Sequence, residues 1–253
     1  MESKSLGRIY NAKADINETD TKEFWNKRAG KYTDENPYVS VKLGDKNPER
    51  AQQWDVYEKS NILQLLNITH NDNVIDIGCG IGRLAEAIIP CCSYYLGVDY
   101  AENLIEIAKE RISFPGKSYD FATLAMQDIY KGNSVLPHST TKRYTVAVIA
   151  GVLVFMNDNT VKQALNNLLS VMADSCRIYI AGTAGVSQRL TLDNFYSDDL
   201  NAKYSIIHRT ENEMMELCSV LYENGFQLSK RGDMAIDTAN NAETKRVFYI
   251  FKR

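Results

Sequence analysis

The chain has 253 residues, 44% hydrophobic and 24% charged, with a formal charge of −3. That length buries a full core in one large domain or a domain with an elaboration, and the charge balance gives no electrostatic reason to expect nucleic acid as a partner. No apolar run approaches the ~20 residues of a membrane span, and the opening MESKSLGRIYNAKADINETD lacks a signal-peptide core, so no membrane partner and a cytoplasmic location are expected.

Residues 22–32 (KEFWNKRAGKY) place Phe24, Trp25, Ala29 and Tyr32 at helical spacing with charges between them. A polar stretch with Pro37, Gly44 and Pro48 reads as loop. Residues 51–66 read as an amphipathic helix with Trp54, Tyr57, Ile62, Leu65 and Leu66 inward. From residue 74 the pattern alternates strand and helix. Strands are expected at 74–77, 94–99, 120–125, 144–150 and 176–181. Helices are expected at 83–92, 102–112 and 160–172, the last capped by Asn157 or Asn159; residues 131–141 read as loop. The rhythm then breaks over 182–209, which reads as a long binding loop or lid. Thr210 and Glu213 fit a capping box opening a helix that stops at Gly225. Strands 227–235 and 246–252 flank a turn-rich 238–243 and should pair antiparallel. This alternation argues for an α/β, doubly wound, Rossmann-like domain with a mainly parallel sheet.

The five cysteines (Cys79, Cys91, Cys92, Cys176, Cys218) are odd in number, include an adjacent pair and form no CxxC; the histidines His70, His138 and His208 are scattered. Neither a disulfide framework nor a metal site is expected.

The first strand ends in Val74-Ile75-Asp76-Ile77-Gly78-Cys79-Gly80-Ile81-Gly82-Arg83-Leu84. Its glycines let backbone approach a ligand at the carboxyl end of a strand. The spacing is G-x-G-x-G, so the third glycine of a dinucleotide motif falls at Arg83. Asp76 before the turn would repel a pyrophosphate and suits an ammonium. Arg83 reads equally as an anchor for a ligand carboxylate or as a surface helix residue. Cys79 reads as a small turn residue rather than a nucleophile.

VIDIGCGIGRLAEAI resembles motif I of class I S-adenosylmethionine (SAM) dependent methyltransferases. Asp99, in LGVDY, resembles their ribose-binding acid. Met126-Gln127-Asp128-Ile129 resembles their adenine-binding segment, and Ala150 to Asp158 their methyl-transfer segment. The resemblance is strong over residues 70–182 and implies a seven-stranded sheet with SAM as cofactor. The segment from Phe24 to Tyr32 resembles an F-W-x-x-R-A-x-x-Y entrance helix that closes over the methionine end of SAM. The implied division is an N-terminal helical lid over 1–69 and a catalytic core over 70–253, with an acceptor-pocket insertion at 183–209. The implied cofactor set is Trp25, Arg28, Asp76, Gly78, Cys79, Gly80, Arg83, Asp99, Tyr100, Gln127, Asp128, Ile129 and Ala150.

For the acceptor, many relatives carry a polar Glu-His after strand four, where this chain has Val154-Phe155. Residues 204–210 (YSIIHRT) are similar to a Y-x-x-I-Y-R-T stretch of some bacterial methyltransferases, so Tyr204 and His208 are the catalytic candidates. Tyr32, Tyr204, His208 and Arg209 are the substrate-binding candidates. An inward Arg209 would favour an anionic acceptor; an inward neutral His208 would favour a hydroxyl. The expected activity is O-methylation of a small polar, anionic or sugar-nucleotide acceptor. The overall look is similar to bacterial enzymes that decorate surface glycans. N-methylation of a small amine and non-catalytic SAM binding are the alternatives.

Overall fold

The computed structural model describes residues 7–43, 45–130, 132–136, 143–234 and 242–253. Most of the loop expected at 131–141, part of the turn at 238–243, Gly44 and Ala235 lie outside these residues.

A three-residue strand β1 (Arg8–Tyr10) precedes helix α1 (Glu18–Arg28), which Asn17 caps by accepting from the Thr19 and Asp20 amides. A short α2 (Val39–Lys42) leads to α3 (Pro48–Leu66), which has Asn47 as N-cap, Pro48 in the first turn and a left-handed Asn67 at its end. The alternating unit follows: β2 (Asn73–Ile77), α4 (Ala85–Ile88), β3 (Tyr94–Asp99), α5 (Glu102–Arg111), β4 (Tyr119–Thr123), β5 (Tyr144–Ala150), α6 (Asp158–Leu169) and β6 (Met172–Gly185). A hairpin of β7 (Leu190–Ser197) and β8 (Ala202–His208) precedes α7 (Glu211–Leu217), α8 (Ser219–Glu223), β9 (Gln227–Asp233) and β10 (Thr244–Lys252).

The main sheet has seven strands in the order β4-β3-β2-β5-β6-β10-β9. Pairing is parallel from β4 through β6, and β10 lies antiparallel between β6 and β9. The chain winds one way from β2 to β3 and β4, then the other way to β5 and β6. The switch point therefore lies between β2 and β5, where open α/β sheets bind ligands beyond the carboxyl ends of their strands.

Both sheet faces are covered, which is why the central strands read as unbroken apolar runs. One face packs Ile75, Ile77, Ala147 and Ile149 against Val161, Leu165 and Leu168 of α6 and Leu217 and Leu221 of α7 and α8. The other packs Val74, Tyr95, Val146 and Tyr179 against Ile62 and Leu66 of α3, Ile88 of α4 and Ile105 of α5. Thus α3, expected within the lid, is part of the sheet's own packing. A smaller cluster of Trp25, Tyr38, Ala51, Ile81, Ala101 and Leu104 seats α1 against the core.

Three expectations change. The segment 182–209 is not an irregular loop: β6 runs on to Gly185, and β7 and β8 pair antiparallel, with β1 adding a third strand at β7. The expected helix 83–92 is helical only over Ala85–Ile88. Asn157 holds the N-cap position of α6 but its side chain does not cap; its carboxamide accepts from the Ile16 amide at 2.8 Å and donates to the Ile16 carbonyl at 3.0 Å. The Thr210–Glu213 capping box and the left-handed Gly225 are as expected. No helix among the described residues is long and apolar enough to cross a membrane.

Candidate functional site

The carboxyl ends of β2, β3, β5 and β6 open onto a cavity of about 710 Å³, covered by residues of α1, α2 and β8. After β2 the chain turns through Gly78, Gly80 and Gly82 at φ of +69°, +55° and +74°, a region costly for other residues. A Cβ on Gly78 would lie 2.3 Å from Val152 Cγ2, and one on Gly80 would lie 2.8 Å from Val41 Cγ1. The amides of Gly78 and Cys79 donate to the Val98 carbonyl at 2.7 and 3.0 Å. The turn is thereby tied to the end of β3.

Asp99 completes that tie. Its carboxylate accepts from the Gly80 amide at 3.0 Å and the Ala101 amide at 2.8 Å. Burial pushes its carboxyl up to about 6, opposed by those backbone donors. Asp76 is 1% exposed and accepts from the Tyr95 hydroxyl at 2.7 Å. Burial pushes it up to about 7, with Tyr95 and Arg83 pulling the other way. An acid held this way gains most from a cationic ligand. Beyond β5, Gly151 has φ +79° and an added Cβ there would meet nothing within 4 Å, so the backbone borders open space. Tyr100, Leu104, Leu124, Met126, Gln127 and Asp128 line one end of the cavity, and Ala181, Thr183, Ile206, His208, Met234 and Arg246 line other parts of it.

Twelve expected site residues border this cavity: Trp25, Asp76, Gly78, Cys79, Gly80, Arg83, Asp99, Tyr100, Gln127, Asp128, Ala150 and His208. Burial raises the Cys79 thiol well above its ordinary value, which keeps it protonated and inert. Arg83 is no surface residue. Its guanidinium reaches Asp55 at 3.1 Å and Glu58 at 2.7 Å on α3. His208 Nδ1 lies 2.7 Å from Thr183 Oγ1, and burial lowers the imidazole to about 4, so it is neutral at physiological pH. Trp25 meets Phe155 edge to face at 5.1 Å, forming an apolar wall.

The other expected residues lie elsewhere. Arg28 is committed within the N-terminal segment: it pairs with Asp45 at 2.6 Å and donates to the carbonyls of Ser40 and Val39. Tyr32 donates to Asp34 at 2.9 Å. Ile129 is fully buried in the sheet's core. Tyr204 packs between Phe24 and Phe195, at 6.2 and 6.3 Å between ring centroids. Arg209 is 1% exposed; it donates to Asp158 at 2.7 Å and to the Leu153 and Met156 carbonyls at 2.7 and 2.6 Å. Its work is to lock β8 to the segment after β5.

Sequence reasoning missed Lys42, Glu58, Thr183 and Arg246, all on the cavity wall. Lys42 pairs with Glu58, and burial together with Arg83 brings its amine down to about 7. Burial opposes ionisation of Glu58, yet Lys42 and Arg83 bring it down to about 2. One signal was present: Asp55 and Glu58 share a helical stripe with Ile62 and Leu66, and acids on an apolar stripe mark buried pairing.

Residues 75–178 match the family model described as a methyltransferase domain. A curated relative, phosphoethanolamine N-methyltransferase 1 of Caenorhabditis elegans, is 28% identical over 100 residues, 40% of this chain and 19% of that protein. The chain thus matches about a fifth of that relative's length. The solved phosphoethanolamine N-methyltransferase 1 of Haemonchus contortus, in complex with phosphoethanolamine and S-adenosylhomocysteine, superposes with a TM-score of 0.70 at 18% identity. That match covers 93% of this chain and 48% of the other. Magnesium protoporphyrin IX methyltransferase of Synechocystis, with bound SAM, gives 0.60 at 16% identity over 96% and 100% of the two chains. The fold is that of the class I SAM-dependent methyltransferases, which the chain resembles in its strand order and in its motifs.

Proposed function

We propose that this chain is a SAM-dependent methyltransferase that O-methylates a small polar acceptor bearing an anionic group. One observation carries the reading. A single cavity at the switch point is lined by the Asp76–Gly80 turn, Asp99 and Asp128, and also by Thr183, His208 and Arg246, so it has walls for a donor and for an acceptor. The methyltransferase-domain match over residues 75–178 supports it.

The residues fit the donor. Asp99 suits ribose hydroxyls, Asp128 an exocyclic amine, Asp76 an ammonium, and Arg83 with Lys42 a carboxylate. Bound there, SAM supplies an electrophilic methyl on a sulfonium. The protein supplies position and dryness. Gly151 leaves room beside the turn, and Trp25, Phe155, Val152 and Val154 wall that space with apolar surface. An anionic oxygen needs no base; a hydroxyl acceptor would need one, and the neutral His208 on the cavity wall is the candidate for it. The N-terminal segment through α1 acts as lid, and the β7–β8 hairpin with the end of β6 forms the acceptor side. Phosphate- or carboxylate-bearing small molecules, sugar nucleotides of surface-glycan synthesis among them, are the acceptor class.

A second reading, N-methylation of a small phosphorylated amine, is favoured by the likeness to phosphoethanolamine N-methyltransferases. Incubation with SAM and pools of phosphate esters, carboxylates and amines separates the two. S-adenosylhomocysteine release with one methyl gained on oxygen is the expected result. A methyl on nitrogen supports the second reading, and SAM binding without turnover on any pool would leave only a SAM-binding module.

A further inference from the structure

The wall formed by β6 and β10 holds an arrangement that the donor does not use. Arg246 and Thr183 are directly opposed partners across β10 and β6, so their side chains stand on the same face of the sheet. That face is fixed by Trp54 of α3, over whose ring the Arg246 guanidinium lies at 4.0 Å. The Thr183 hydroxyl in turn meets His208 Nδ1 at 2.7 Å. All three residues border the cavity.

The charges there are unbalanced. Among the described residues, the carboxylate that pairs with Arg246 is Glu58, at 3.9 Å. The same carboxylate already holds Lys42 and Arg83. Three cations thus share one carboxylate, with Asp55 assisting only Arg83 among them. Arg83 is 8% exposed in its side chain and Arg246 is 35%. Arg246 is the most exposed of the three and the one the donor's carboxylate does not claim, and its stacked planar fork suits a second anion, phosphate or carboxylate.

We infer that Arg246 and the His208–Thr183 pair seat the anionic group of the acceptor, a phosphate or a carboxylate, and that Thr183 holds His208 as a hydrogen-bond donor rather than a base. The inference rests on the donor reading above. Thr183 Oγ1 has His208 Nδ1 as its hydrogen-bond partner among the described residues; a hydroxyl serves as donor or acceptor, and in the arrangement inferred Thr183 donates. Nδ1 then carries no proton and Nε2 carries one. Burial keeps the ring neutral; the charged groups acting on it, Arg8 and Glu243, are paired with each other. A neutral N–H and a guanidinium on one cavity wall recognise an anion without adding a further buried charge. Thr183 acts as a positioning residue, through His208.

The chain has only three histidines, so imidazole 15N spectra can isolate His208. The experiment titrates inorganic phosphate into protein saturated with S-adenosylhomocysteine, whose own binding is measured on the same samples by calorimetry. At neutral pH the His208 resonances should show the Nε2–H form, and phosphate should shift them. Arg246→Gln should weaken the phosphate response at least tenfold with S-adenosylhomocysteine affinity held within about twofold, since tenfold is about 1.4 kcal/mol. Arg246→Lys should restore part of it. Thr183→Val should mix the tautomers, and Thr183→Ser should retain the native one. An Nδ1–H form, or a phosphate response indifferent to Arg246→Gln and Arg246→Lys, would overturn the inference. So would phosphate binding that S-adenosylhomocysteine abolishes, because Arg246 would then hold the donor's carboxylate. If S-adenosylhomocysteine itself fails to bind, the donor reading falls first and takes this one with it.

Discussion

The two sides of the cavity are built in different ways. On the proposed donor side, Asp76, Gly78, Gly80, Asp99 and Ala150 each sit at or within a few residues of the end of a parallel strand. Their positions follow from local pattern: an apolar run, its last residue, and the turn after it. On the other walls, Lys42 comes from α2, Glu58 from α3, Thr183 from β6, His208 from β8 and Arg246 from β10. Tertiary pairing alone brings these together. A strand-end site is carried by contiguous sequence, whereas a pocket assembled from five elements is carried by the fold.

Arg209 tests that division hardest, because sequence places it on the acceptor side and the structure makes it a lock. Among the described residues, Arg209→Ala removes the guanidinium donor from the Met156 carbonyl, leaves the Leu153 carbonyl with the Met156 amide alone at 3.4 Å, and leaves Asp158 paired with Arg189 alone. A loss of about 1.5–3 kcal/mol, the worth of hydrogen bonds to a charged group, is expected in urea unfolding. Full stability with a raised acceptor KM would return Arg209 to the acceptor site.

Asn157 probes the boundary between the two sides. Its carboxamide clasps Ile16, and its amide donates to Glu18 Oε1 at 2.7 Å. Asn157→Ala should cost about 1–2 kcal/mol through the two lost side-chain hydrogen bonds. It should also speed hydrogen exchange across residues 15–28 ahead of the sheet. Exchange that rises equally in the sheet, or not at all, would deny that this clasp holds the lid.

Asp76 gives an effect that depends on pH. Its folded-state pKa is raised to about 7, so its contribution to the free protein's stability is full below the unfolded value near 4 and is lost as pH rises through 7. Asp76→Asn cannot lose it. The variant should therefore gain stability relative to the native protein between pH 5 and 8. A stability difference that is flat with pH would mean that Asp76 ionises freely in the fold.

Legibility in the sequence follows the same division. The apolar strands β2, β3 and β5, the glycine turn, the Thr210–Glu213 box and the antiparallel last pair were all readable, because each is a local pattern with one physical solution. The β7–β8 hairpin was not. Its pairing shifts register between Leu192 and Phe195, and Asn194 there has φ +49°; the two-residue alternation slips and the stretch looks irregular. Arg28 and Arg209 misled for a related reason. An arginine among aromatics reads the same whether it faces a pocket or the interior, and the deciding partners, Asp45 and Asp158, are remote in sequence.

The central claim is that the turn at Asp76–Gly80 and the acid at Asp99 form a donor site. Calorimetric titration of the protein and of Asp99→Asn with S-adenosylhomocysteine tests it most directly. Saturable one-to-one binding is expected for the native chain. A more than tenfold loss is expected in the variant, the effect of removing charge-assisted hydrogen bonds worth about 1.5–3 kcal/mol, with thermal unfolding showing that it remains folded. No binding by the native chain, or equal binding by both, would contradict the assignment.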